Sequence, residues 1–306
     1  MPARRPGPLL FGALVVVSAC GSPAPGPPPL PAPTSESTVD STAPSVSATS
    51  EPAPVVAVRD VVDAAEGAMP PGMTLGVAVL DVDTGELVEG RLGGRQFMAA
   101  SLSKLIVVVD MFDRRRSEGR EIAEADLKLV DRALSSSDDG AMSALWGRYD
   151  GLGAVRRVAG QLGLTATRPP DDHGEWGDTT TTAGDIVRIY QHILRDMAAA
   201  DRDAVVAALA AAQPVATDGF AQYYGLLGPG PSAQRYAKQA WVPWAPAGHL
   251  LHSAGVVHDT RTGHTYAMAL LSIQPRTSAQ AARDRLTAVA APAMGLLGAG
   301  STGGTR

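Results

Sequence analysis

The sequence predicts an α+β fold: a five-stranded antiparallel sheet covered by helices from both ends of the chain, with an all-helical subdomain between the strands. Three observations predict it. Strand patterns fall into two groups, Thr74–Asp81 with 86–89, and far downstream 235–242, 250–257 and 265–273. Short turns join the strands inside each group, which makes neighbours antiparallel. The periodic stretches between and outside the groups repeat at helical spacing.

Taken in order, 55–66 carries apolar residues at helical spacing, with Gly67 and Pro70 beyond its end. The first two strands flank Asp83-Thr84-Gly85, a hairpin signal. Residues 102–112 are apolar on nearly every side, which marks a buried helix. Helices follow at 122–134, 140–149, 152–162, 182–197 and 204–212, the fourth of them led by threonines that can cap it. The three late strands turn at 243–248 and 258–263, and a last helix spans 278–297.

Ser101-Leu102-Ser103-Lys104 opens the buried helix. Residues i and i+3 share a helix face, so the Ser101 hydroxyl and Lys104 amine come within hydrogen-bond reach. Burial disfavours the charged lysine, and a neutral amine beside a serine can activate the hydroxyl without histidine. A capping serine and a lysine whose stem snorkels fit the same four residues, so the motif alone leaves both readings open.

The chain has 306 residues and a net charge of −5, and its one basic triplet beyond the first residues, Arg114–Arg116, reads as a solvated helix end, so no nucleic-acid partner is expected. Arg4 and Arg5 precede an apolar run, Leu9 to Val17, that ends in small residues: a secretory signal, too short for a permanent span. Val17-Ser18-Ala19-Cys20 resembles a bacterial lipobox, which implies lipidation of Cys20, the sole cysteine, and a membrane anchor; an ordinary secreted protein cleaved nearby is the alternative. Residues 21–54 are rich in Pro, Ser, Thr and Ala and read as a disordered tether, 55–297 as one domain, and 298–306 as a loose tail. Of six histidines, His249 and His252 sit an odd step apart on a strand and face opposite sides, so no metal site is expected. Nothing calls for a cofactor. Trp176, Trp241 and Trp244 suit either a cleft wall or the core.

Four ordered motifs then resemble the serine β-lactamase and penicillin-binding-protein superfamily, especially its class A members, as a lipoprotein of actinobacterial type. They are Ser101-x-x-Lys104, Ser137-Asp138-Asp139, Asp178-Thr179-Thr180-Thr181 and Lys238-Gln239-Ala240-Trp241. The resemblance implies Ser101 as nucleophile, Lys104 as base, Ser137 as proton shuttle and Lys238 as the cation that polarises Ser137 and attracts a substrate carboxylate. It also implies an oxyanion hole from the backbone N–H groups of Ser101 and Trp241, with Asp139, Gln239 and Ala240 at the substrate. The acylating substrate would be a β-lactam or a peptidoglycan-like peptide, and the location extracytoplasmic.

The chain departs from the family pattern at four places. No carboxylate lies about a dozen residues before Asp178; Asp171, Asp172 and Glu175 sit close to the loop's end, so deacylation is expected to be slow. Asp139 replaces an asparagine, losing an N–H₂ donor and opposing a neutral Lys104. Gln239 and Ala240 replace threonine and glycine. The span from Ser101 to Ser137 is short, which implies an open site. These departures keep a second function in play, a membrane-tethered binding or scaffolding lipoprotein without catalysis, and a third, hydrolysis of another ester or amide.

Overall fold

The computed structural model describes residues 54–229, 234–245 and 248–298. The expected signal, Cys20, nearly all of the tether and residues 299–306 lie outside the described residues.

Helix α1 (Val58–Gly67) leads into β1 (Thr74–Asp81) and β2 (Leu87–Glu89). The β1–β2 turn closes on Asp81, whose Oδ1 accepts the backbone N–H groups of Asp83 (2.8 Å) and Thr84 (3.1 Å), while Gly85 takes φ +80°. The late strands are β5 (Gln234–Ala245), β6 (Gly248–His258) and β7 (Thr265–Gln274), followed by α8 (Ala279–Gly298). All five form one antiparallel sheet, as the sequence predicts, in the order β2-β1-β7-β6-β5. Strand β5 runs through Pro243, where the sequence pattern ended it. It is an edge strand, which tolerates a residue that cannot donate to the ladder.

The sheet separates two apolar cores, which explains why β1 is buried on both faces. Leu75, Val77 and Val79 face α1 and α8 with Val61, Met268 and Leu286. Ala78 and Leu80 face the helical body. That body comprises α2 (Ser103–Ser117), α3 (Glu124–Ser135), α4 (Asp139–Arg148), α5 (Gly151–Gln161), α6 (Ala183–Arg195) and α7 (Ala199–Ala210). Helix α2 is buried continuously from Ser103 to Phe112, matching its lack of a polar stripe. Its one carboxylate there, Asp110, is neutralised by a two-pronged pair with Arg157 at 2.7 and 2.8 Å. Helix α7 begins five residues before the expected 204, because Ala199-Ala200-Asp201-Arg202-Asp203 shows no apolar period; Asp201 suits its N-terminal dipole.

A second, two-stranded ribbon was not legible in the sequence: β3 (Phe97–Met98) with β4 (Thr180–Thr181). It leads the chain into a 3₁₀ turn, Ala100–Leu102, and so places Ser101.

Candidate active site

Ser101 sits in the turn that starts α2, and the residue before it is strained. Ala100 has φ +46°, a left-handed conformation that costs an L-residue about 1 kcal/mol or more. The turn is held from three directions. Ala99 N–H donates to Thr179 O (2.6 Å), Ser103 Oγ to Ala100 O (2.7 Å), and His252 Nε2 to Met98 O (2.8 Å).

His252 Nδ1 accepts the Ser272 N–H at 3.1 Å, so the ring must be the neutral Nε2–H tautomer. Burial pushes its pKa down to about 4. The ring is therefore neutral in the fold while the unfolded chain takes a proton below about pH 6.5, and stability falls as pH drops from 6.5 towards 4. The full loss from this group is about 3 kcal/mol. His192, raised chiefly by its bond to Asp113, acts oppositely and loses its contribution as pH rises. His252→Gln, which retains a donor towards Met98, is expected to flatten the acid side of an unfolding free-energy profile; an unchanged slope would assign the acid loss elsewhere.

Lys104, fully buried, aims its amine at four oxygens: Ser101 Oγ (2.7 Å), Asp139 Oδ1 (2.7 Å), Ser137 O (2.9 Å) and Ser137 Oγ (3.2 Å). An ammonium has three N–H groups for these four positions, whereas a neutral amine has a lone pair that can accept the Ser101 hydroxyl. Burial pulls the Lys104 pKa below its ordinary value, with Asp139 the main opposing influence. The charge of Asp139 thus acts as the sequence predicts, but burial outweighs it.

Ser137 lies in the α3–α4 connection at φ +54°, which turns both its carbonyl and its hydroxyl towards Lys104. Its Oγ stands 3.1 Å from Ser101 Oγ. Lys238, on β5, donates to Ser137 Oγ and to Gln239 O, each at 2.8 Å. Complete burial, and then the neighbouring Lys104 charge, push its pKa well down. Ser101, Lys104, Ser137 and Lys238 therefore meet as one hydrogen-bonded cluster.

Tyr190, from α6, reinforces the Lys238 end. Its buried hydroxyl donates to Ala254 O (2.7 Å) and accepts the Lys238 N–H (3.3 Å), bridging β5 and β6.

Gln239 does not sit where a substrate would reach it. Its side chain is buried and donates to Tyr224 O (2.6 Å) and Gln222 O (2.9 Å), and Ala240 is packed in the helical-side core. Gln239 and Ala240 thus point to opposite faces of the strand, as its pleat requires, and neither side chain is among those bordering the cleft.

The cluster opens into a cleft of about 620 Å³ bordered by Ser101, Asp139, Glu175, Trp176, Asp218 and Trp241. Trp176 lies 4.8 Å from Lys104 Nζ, measured to its ring centroid. Trp241 stacks on Phe220 (4.5 Å, 8°) and donates its indole N–H to Asp218 at 3.0 Å. Asp218 and Phe220 come from the irregular stretch after α7, which carried no sequence signal. The side chain of Trp244 lies outside the described residues.

Asp81, Asp83 and His264 are grouped with ligand-type atoms within 4.8 Å. Every carboxylate oxygen there is already engaged, by the turn N–H groups, His264, Arg195 or Thr265, so the group works as a hairpin staple.

No family model matches the chain. It is 37% identical over 216 residues to a protein named "Putative lipoprotein LppW" in Mycobacterium tuberculosis H37Rv and in Mycobacterium bovis. The matched segment is 69% of this chain and 66% of each relative, just under two thirds. Among solved structures, TLA-1 extended-spectrum β-lactamase is similar with a TM-score of 0.65 at 11% identity, over 78% of this chain and 99% of that one. A class A β-lactamase from Mycobacterium abscessus gives 0.60 at 17%, over 78% and 97%. PBP-A gives 0.62 at 16%, over 79% and 97%, and a PBP-A variant is known as an acyl-enzyme complex with penicillin G. The expected architecture is thus established: the chain has the fold of the class A β-lactamases and of PBP-A.

Proposed function

We propose that the protein is a cell-envelope serine hydrolase acylated at Ser101 by a β-lactam or a peptidoglycan-like peptide. The observation that supports it is the cluster of two serines and two depressed lysines, with Lys104 Nζ 2.7 Å from Ser101 Oγ. Lys104 takes the Ser101 proton as Oγ bonds to the carbonyl carbon. The backbone N–H groups of Ser101 and Trp241 stabilise the oxyanion. As the C–N bond breaks, the proton passes from Lys104 through Ser137 Oγ, 3.2 Å away, to the leaving nitrogen, with Lys238 orienting Ser137. Water then cleaves the ester. Glu175 borders the cleft but is exposed, and this reading keeps deacylation slow.

Incubation with a fluorescent penicillin, followed by intact mass, is expected to add one long-lived adduct to the wild type and none to Ser101→Ala. A wild type that never gains the adduct, beside a competent control enzyme, ends this reading.

Lipidation at Cys20, with 21–54 as a tether for a folded unit over 55–297, completes the proposal and places the site outside the cytoplasmic membrane. The lipobox-like sequence and the relatives' name support it. Cys20→Ser is expected to move the protein from the membrane fraction to the soluble one; retention would count against the anchor. A second reading, a tethered binding protein without turnover, draws support from the Lys104–Asp139 pair at 2.7 Å.

A further inference from the structure

We infer that the Ser101 cleft selects a substrate bearing a positive charge beside the reacting carbonyl, with Glu175 and Asp218 as its specificity-determining residues. The inference rests on the hydrolase reading for the chemistry, but its charge argument stands on the cleft itself.

The border of the cleft carries Asp139, Glu175 and Asp218, and neither an arginine nor a lysine among its described lining residues. Asp139 holds an exposed side chain at the mouth, 65% accessible even while paired with Lys104. Asp218 is fixed rather than loose, since Oδ2 accepts the Trp241 indole N–H at 3.0 Å and Oδ1 the Phe220 backbone N–H at 2.9 Å. Its charge is felt at the floor, where it is among the influences on both Lys104 and Lys238.

The floor supplies no free cation to balance this. Lys104 and Lys238 are wholly buried and their amines are committed to Ser101, Ser137, Asp139 and the Gln239 carbonyl. Both have depressed pKa values. Gln239, the next side chain along that strand, is turned into the core. A carboxylate beside the scissile bond would meet three like charges and no dedicated partner, whereas an ammonium would meet three opposite ones.

Two arginines stand nearby. Arg283 lies over the Phe220 ring (5.1 Å) and donates to Gln280 (2.6 Å). Arg276 lies with His249 in an adjoining depression, past Pro243 and Ala279. Neither borders the cleft. The chemical class that fits is an acyl donor with a free amino group, such as a peptide with an unblocked diamino side chain.

Three probes separate the possibilities: a fluorescent penicillin with its free carboxylate, its methyl ester, and its dimethylaminoethyl ester, which is a cation at neutral pH. Dissociation constants measured by anisotropy on Ser101→Ala read charge selection without any chemistry. Adducts on the wild type, read by intact mass, test the hydrolase separately. The expected order is cation, neutral, anion, with roughly a tenfold spread at low salt that narrows at high salt. The pair Glu175→Gln with Asp218→Asn is expected to compress the spread to about twofold. Equal affinity, tighter anion binding, or no binding of the cationic probe overturns the inference, and an anion preference abolished by Arg276→Ala would locate the carboxylate in the adjoining depression instead. Charge-ordered binding without any adduct sinks only the hydrolase reading.

Discussion

Lys104→Met is expected to slow acylation of Ser101 by about a hundred- to ten-thousandfold while the protein stays folded, the range typical of a lost general base. Met matches the lysine in length and suits a fully buried position, so the packing around α2 is retained. The partner left behind, Asp139, is largely solvent-exposed and can be rehydrated, which keeps the structural cost small. Removing the amine also takes away the proton acceptor that bridges Ser101 and Ser137, leaving only the direct 3.1 Å contact of their hydroxyls. Melting temperature and acylation rate should be measured on the same preparation. Unimpaired acylation in a folded variant would remove Lys104 from the mechanism.

Asp139→Asn has the opposite sign. At 2.7 Å from Lys104, the carboxylate favours the ammonium and so works against the burial that lowers the lysine pKa. Removing its charge lowers that pKa further, and each unit gives about tenfold more neutral amine wherever the pH lies below the pKa. Because the Asp139 side chain is 65% exposed, solvent screens much of the effect, and a gain of roughly five- to tenfold in acylation near pH 7 is the reasonable scale. The acid limb of the rate profile should move to lower pH. The new amide also adds an N–H₂ donor facing the cleft. A rate that stays flat or falls would mean that Asp139 contributes by holding Lys104 in place, as a tethered binding protein would use it.

Long elements with a clear period were legible in the sequence, because burial on one or both faces leaves a repeating trace. The continuous apolar run in α2 and the two groups of strands were enough to set the layer order. The ribbon formed by Phe97–Met98 and Thr180–Thr181 was not, since two residues a side cannot show a period. Ser101, Lys104, Ser137 and Lys238 were legible as separate motifs, and their meeting in space follows from the fold. The facing of Gln239 was not legible, because a strand pattern gives alternation without saying which side opens to solvent. Asp218 and Phe220 stayed invisible for a different reason: an irregular segment has no periodicity, and only the closure of the sheet beside it brings them to Ser101.

The Tyr190 bridge between Ala254 and Lys238, together with the His252 bond to Met98, ties the sheet to the helical half at two points beneath the reacting groups. Sliding one half over the other would have to break a desolvated hydroxyl or imidazole contact, so the base of the cavity behaves as a rigid anvil. Any adaptation to differently shaped guests is left to the lip that carries Glu175, since the Asp218 lip is pinned by Trp241 and Phe220.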